Sequence, residues 1–154
     1  MALRIARQHK VDVIPLVRQL AGDKSAVVRR ECAIALRHNK SKEAPALWAK
    51  LANAHDGKDR WYLEALGLAA DKQENVFFDE WMKTAKLDTA GARDVIWRSR
   101  GSQAAQYIAD ILLDKRTKVE EKPRFLRALD FIPAGKEKTA ALARIALGLS
   151  LIHI

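Results

Sequence analysis

One short pattern recurs along the chain as Ala33-Ile34-Ala35-Leu36, Leu63-Glu64-Ala65-Leu66 and Leu126-Arg127-Ala128-Leu129. A fourth string, Val95-Ile96-Trp97-Arg98, occupies the remaining slot, and the last residues of the four strings are 30, 32 and 31 residues apart. A near-constant interval with drifting residues is typical of proteins that are built from stacked repeats. The chain is therefore predicted to consist of repeating units about 31 residues long.

Each unit is predicted to be a pair of helices. Between the recurring strings, five segments carry apolar residues near positions n, n+3, n+4, n+7 and n+8, which is the stripe of a helix buried on one face. These stripes are Val13, Leu16, Val17, Leu20 and Ala21; Ala44, Leu47, Trp48, Leu51 and Ala52; Phe78, Trp81, Met82 and Ala85; Ala104, Tyr107, Ile108, Ile111 and Leu112; and Ala141, Leu142, Ile145, Ala146 and Leu149. We predict ten helices, with Ser25 and Asp88 as N-caps. Their ranges are 1–9, 11–21, 25–38, 42–54, 57–70, 74–86, 89–99, 102–114, 118–131 and 136–149.

The stretch from Asp23 to Leu36 resembles the first helix of a HEAT repeat. The matching positions are Asp23, Val28, Arg29, Ala35 and Leu36. One helical pair cannot bury its own apolar faces, so successive pairs must stack to make a continuous core. The predicted fold class is an all-α, right-handed α-solenoid of about five antiparallel helix pairs, of the HEAT or armadillo kind. In the HEAT family the Asp and the Arg form a hydrogen-bonded ladder between neighbouring repeats, so the resemblance implies a structural role for Asp23 and Arg29.

Three longer strings are similar to the HEAT-like region of large planctomycete-type proteins. Those proteins couple a sugar-dehydrogenase-like β-propeller to helical repeats and a C-terminal c-type haem domain. The strings are Asp56–Gly67, Gly91–Arg100 and Pro123–Phe131. The resemblance implies a spacer or docking module within an exported, multi-domain redox protein, with a periplasmic or other exported location. Because the chain has no propeller and no Cys-x-x-Cys-His haem-attachment site, no redox residue and no cofactor is carried over to it.

The chain is basic, with a formal net charge of +9. That charge permits contact with nucleic acid, anionic lipid or an acidic protein, and does not choose among them. Four arginines recur near the same part of the first helix of successive pairs, where equivalent positions of a solenoid line up. Two tryptophans lie beside them, which suits stacking on a base or a peptide, or packing between repeats beneath arginine stems. The resulting candidate interaction ridge is Arg30, Arg60, Trp61, Arg93, Trp97 and Arg124.

The sequence carries no recognisable motif for catalysis, for a cofactor or for a metal. The four histidines have no metal-ligand spacing, so they are interpreted as surface or helix-end residues: His9, His38, His55 and His153. No Gly-x-Ser-x-Gly elbow and no glycine-rich phosphate loop occurs. The single cysteine, Cys32, lies in an apolar helical pattern and is predicted to be buried. We therefore expect no catalytic residue, no cofactor and no metal.

Residues 1–149 are predicted to form a single HEAT-like array, expected to be a piece of a longer protein because neither end has a polar cap. Residues 150–154 form an apolar tail, for which the alternatives are a continuation of the last helix and a truncated or non-native end. No stretch is long and apolar enough to span a bilayer. The function expected is a non-catalytic scaffold that contacts proteins or neighbouring domains. The alternatives are a nucleic-acid-binding module that uses the basic ridge, and an enzyme with an unrecognised site, such as a chromophore lyase with HEAT-like repeats.

Overall fold

The computed structural model describes residues 2–150, and every regular element in that range is helical. The α-helices are α1 (Ala2–Gln8), α2 (Ile14–Leu20), α3 (Ala26–Ala35), α4 (Ala44–Asn53), α5 (Arg60–Ala69), α6 (Glu74–Met82), α7 (Ala90–Arg98), α8 (Ala104–Leu113), α9 (Lys122–Ala128) and α10 (Lys136–Ser150). Each predicted helix therefore has a counterpart in the described range, and the all-α fold class is confirmed. Of the predicted apolar tail, residues 151–154 lie outside the described range.

Most helices are shorter than predicted. The helix predicted to reach His38 ends at Ala35, and His38 itself has a φ of 59°, in the left-handed region that terminates a helix. Glycine usually occupies such a position, so a histidine there gave no stop signal. The helix predicted over 118–131 is divided into α9 and two flanking 3₁₀ turns, at Val119–Glu121 and Leu129–Phe131.

The two predicted N-caps also differ from the structure. Ser25 occupies the N-cap position of α3, but its side chain makes no capping hydrogen bond. The carboxylate of Asp23 accepts from the Ser25 N–H instead, at 2.7 Å. At α7 the capping side chain is Thr89 rather than Asp88, because the Ala92 N–H donates to Thr89 Oγ1 at 3.1 Å.

The first compact unit, Met1–Val95, arranges its helices in two layers. In the odd layer α1 packs on α3 and α3 on α5; in the even layer α2 packs on α4 and α4 on α6. The closest packings thus join helices two apart in the chain, and contacts such as those of α2 with α3 and of α4 with α5 connect the layers. This is the stacking of helix pairs that the repeat interval predicts, and it gives the unit a solenoid-like arrangement.

The core of this unit is built from large apolar side chains that are almost fully excluded from water. They include Val17, Leu36, Leu51, Leu63, Leu66, Phe77, Phe78 and Trp81. Full burial of one such side chain contributes about 1.5–3 kcal/mol. Cys32 is part of this core, as predicted, and burial raises the pKa of its thiol to about 11. A thiol with so high a pKa is a small core residue and a poor nucleophile at neutral pH.

The second compact unit, Ile96–Ile154, is centred on α8, which packs on α9 and α10. Ile108 and Ala109 of α8, Phe125 of α9 and Ala141 and Ile145 of α10 are buried. The boundary between the units falls within α7, and a single array over residues 1–149 stays a prediction. Among the described helices, none combines the length and the apolar composition that crossing a bilayer requires.

Candidate functional site

The four tryptophans differ in the burial and the hydrogen bonding of their indole rings. Trp48 and Trp81 are buried, and they donate their indole N–H groups to Leu66 O at 3.0 Å and to Asn53 Oδ1 at 2.8 Å. Trp61, at the start of α5, is 71% exposed and makes no hydrogen bond within the described residues. Because a free, exposed indole contributes little to the fold, Trp61 is the tryptophan whose position the packing does not explain.

Trp61 lines a groove between two neighbouring helices of the odd layer. The groove lies between α3 and α5, is open to solvent and has a volume of about 440 Å³. Its lining residues define the α3–α5 groove: Arg30, Ile34, Trp61, Glu64, Ala65 and Leu68. The spacing of these residues, i to i+4 on α3 and i, i+3, i+4, i+7 on α5, puts each set on one helix face. The opposite faces of both helices are buried in the core.

Among the described residues, the guanidinium of Arg30 lines the groove without a counter-ion. Glu64 accepts from Arg60 Nε at 3.1 Å within α5, so the one carboxylate that lines the groove in the described part of the chain is already paired. On α3, Glu31 is paired with Arg4 at 2.6 Å, and hydrogen bonding from Arg4 lowers the pKa of its carboxyl. Arg30 forms no hydrogen bond or salt bridge with any described residue. The side chains free to meet a ligand in the α3–α5 groove are therefore a guanidinium, an indole and aliphatic groups.

In the structure, the residues of the candidate interaction ridge lie in different local environments. Arg30 and Trp61 line the α3–α5 groove, and Arg60 is paired with Glu64 of its lining. Arg93 is half-buried on α7. In the second unit, the guanidinium of Arg124 lies 4.2 Å from the centre of the Trp97 ring, and Trp97 Nε1 donates to Arg124 O at 3.1 Å. One face of Trp97 is thus covered by its own chain.

The predicted ladder residues are joined in a way that differs from a carboxylate pair. Arg29 Nη1 donates to the main-chain carbonyl oxygens of Asp23 and Lys24, at 2.7 and 3.1 Å. The link to the next helix pair comes from Tyr62 of α5, whose ring centre is 5.4 Å from the Arg29 guanidinium carbon. Arg29 therefore closes the turn before α3 and also contacts α5.

A buried polar cluster around His55 was not predicted. Its side chain is only 1% exposed, so the surface interpretation is wrong, although the residue does lie just after the end of α4. His55 Nε2 lies 3.2 Å from Asp94 Oδ2, and the ring stacks on Tyr62 at 5.8 Å between centres and 3° between planes. The cause is a close approach of α7: a Cβ on Gly91 would collide with His55 O.

The signal for this cluster is in the repeat register. Asp94 stands at the position that Cys32, Tyr62 and Phe125 occupy in the other copies of the pattern, and all three are buried. A carboxylate in an inward-facing slot needs a hydrogen-bond partner, because a buried unpaired charge is costly. His55 supplies that partner. Counting the register back from the recurring strings would have predicted a buried partner for Asp94.

A second cavity, of about 250 Å³, lies beside this cluster. Its polar lining consists of Asn53, His55, Thr84, Lys86 and Thr89. Most of these side chains are already used within the fold, since Asn53 Nδ2 donates to Thr84 Oγ1 at 2.9 Å and Thr89 caps α7. His55 Nδ1 is buried and has no hydrogen-bond partner among the described residues. No group of three or more metal-ligating side chains occurs in the described part of the chain.

Comparisons with protein-family models, with curated proteins and with solved structures found no match to this chain. The HEAT-like resemblance and the similarity to dehydrogenase-associated proteins accordingly stay predictions from the quoted strings.

Proposed function

We propose that this chain is a non-catalytic helical-repeat scaffold that docks a segment of another protein in the α3–α5 groove. The observation that carries the proposal is the free, 71% exposed indole of Trp61 beside the unpaired guanidinium of Arg30. Tryptophan and arginine are among the residues most enriched at the energetic centres of protein interfaces. A concave apolar floor with a few polar groups is the ordinary form of a binding site.

The packing of the first unit supports a scaffold role. Stacked helix pairs leave a long outer surface, and equivalent side chains from successive pairs lie next to one another on it. The α3–α5 groove is one such junction between adjacent odd-layer helices. A partner held there would contact two repeats at once, so its binding would be sensitive to how those repeats stack.

The strings at 56–67, 91–100 and 123–131 support a finer proposal. On that proposal the scaffold is a spacer or docking module of a larger exported redox protein, and its partner is a neighbouring domain or an associated protein. The support is the resemblance of those strings alone.

The proposal is tested by selecting random displayed peptides against the purified chain and against two variants. Trp61→Ala removes the indole at the groove, and Val76→Ala removes an apolar side chain that is 59% exposed on α6, in the even layer. Peptides are expected to enrich on the wild type and on Val76→Ala, and to be lost on Trp61→Ala. Selections that recover the same peptides on all three proteins would exclude docking at the groove.

Nucleic-acid binding is the outcome that would favour the alternative function. Fluorescence anisotropy with labelled single- and double-stranded DNA at about 50 mM salt tests it, because phosphate contacts are strong there and weaken steeply with added salt. The scaffold proposal predicts no saturable binding. Tight, salt-sensitive binding that Arg30→Ala weakens would overturn it.

A further inference from the structure

We infer that the occupant of the α3–α5 groove is an acidic segment, in which one large apolar side chain is followed closely by a carboxylate. This inference rests on the proposed docking function and adds the chemical class of the partner. It comes from the size of the groove, from the pairing of its charges and from the exposure of Trp61 in its lining.

The lining of the α3–α5 groove favours a ligand with a large apolar side chain. Ile34, Ala65 and Leu68 supply aliphatic surface, and the exposed indole of Trp61 lines the same groove. Trp61 and Leu68 both lie on α5, which forms one side of the groove. They are two turns apart, or about 10 Å along the helix axis. A site of that length and of about 440 Å³ accommodates one or two large side chains from a short segment.

The charges of the groove select for an anion beside that anchor. Glu64 is neutralised by Arg60, and Arg30 faces the groove with no salt bridge in the described residues. A ligand carboxylate can therefore form a charge-assisted, bidentate pair with the Arg30 guanidinium, which is stronger than a hydrogen bond between neutral groups. A cationic ligand would meet Arg30 with no free carboxylate to receive it. The net charge of +9 also attracts acidic segments, and repels basic ones, over longer distances.

Three synthetic twelve-residue peptides test the inference on the full chain. The first has a Leu-Phe centre flanked by Glu and Asp, the second has the same centre flanked by Lys, and the third keeps the acidic flanks and replaces the centre with Ser. Affinity is measured by anisotropy of a labelled peptide near physiological salt. We expect the first peptide to bind at least about tenfold more tightly than either of the others, since it alone satisfies both parts of the site.

Reversing the charge of Arg30 in the protein tests the inference more directly than changing the peptide does. Arg30→Glu is expected to invert the preference between the acidic and the basic peptide, whereas Trp61→Ala is expected to weaken binding of both by at least about tenfold. Lys50→Glu, an exposed charge reversal on α4 in the other layer, is the matched control and should leave the preference unchanged. Circular dichroism confirms that each variant is folded.

The outcomes separate the inference from the function on which it rests. If displayed peptides require Trp61 but are neutral or basic, or if Arg30→Glu leaves the charge preference intact, the acidic occupant is wrong and the docking function stands. If no peptide depends on Trp61, both fail. If the chain forms dimers that Trp61→Ala abolishes, the occupant is a second copy of the chain and the inference is overturned.

Discussion

Replacing Trp48 with Phe tests whether the buried, hydrogen-bonded Trp48 stabilises the fold more than the exposed Trp61 does. Trp48 is buried on α4, donates its N–H to Leu66 O at 3.0 Å and lies with its ring 5.6 Å from that of Phe77. The substitution removes one hydrogen bond, worth about 1 kcal/mol. It also deletes buried ring atoms at about 0.5–1.5 kcal/mol. The expected loss in the free energy of unfolding is about 2 kcal/mol.

The matched substitution Trp61→Phe removes the same atoms from an exposed ring without a hydrogen bond, so its effect should stay within about 0.5 kcal/mol. Urea unfolding followed by far-ultraviolet circular dichroism measures both, and a loss of about 2 kcal/mol lowers the midpoint by about 1 M for a typical denaturant slope. Amide hydrogen exchange on α4, α5 and α6 confirms that the loss is in the first unit. Equal effects of the two substitutions would refute the packing of α4 against α5 described above.

Three further predictions concern backbone approach, thiol reactivity and pH. Gly91→Ala should destabilise the chain by about 1–3 kcal/mol, because its Cβ would meet a main-chain carbonyl group, whereas Gly135→Ala, whose Cβ meets only a flexible carboxylate, should change the melting temperature little. The Cys32 thiol should not react with a disulfide reagent at about pH 8 until the chain is unfolded, and fast labelling of the native protein would contradict its burial. Hydrogen bonding from Arg37 lowers the pKa of the Asp71 carboxyl, so its stabilisation is present above the ordinary carboxyl pKa and is lost as the pH falls through the lowered value. The difference in urea midpoint between the wild type and Asp71→Asn should therefore shrink from about pH 6 to about pH 3, and a constant difference would contradict it.

The sequence predicts the helices well because their signal is periodic and local. Apolar stripes at helical spacing identify α2, α4, α6, α8 and α10, the recurring strings identify the helices between them, and the near-constant interval identifies the stacking of helices two apart. The helix ends are predicted less well; α3, for example, ends before its predicted end because His38 adopts a left-handed backbone conformation in a place where no glycine indicates a stop. The burial of His55 depends on the approach of α7, a contact between residues far apart in the chain. Nothing in the sequence next to His55 indicates that contact, so its burial could not be predicted from the neighbouring residues.

The repeat register also explains why Trp61 carries the functional proposal while the other tryptophans do not. Counting back five residues from the end of each recurring string gives the same slot in every unit, and its occupants are Glu31, Trp61, Arg93 and Arg124. Three of the four are charged and none is fully buried, as an outward-facing slot requires. A tryptophan is unusual at an outward-facing position, and the exposed ring of Trp61 buries little surface in the described structure. Departures of this kind concentrate where a surface meets a partner, because the compensating contacts are supplied by the partner and not by the fold.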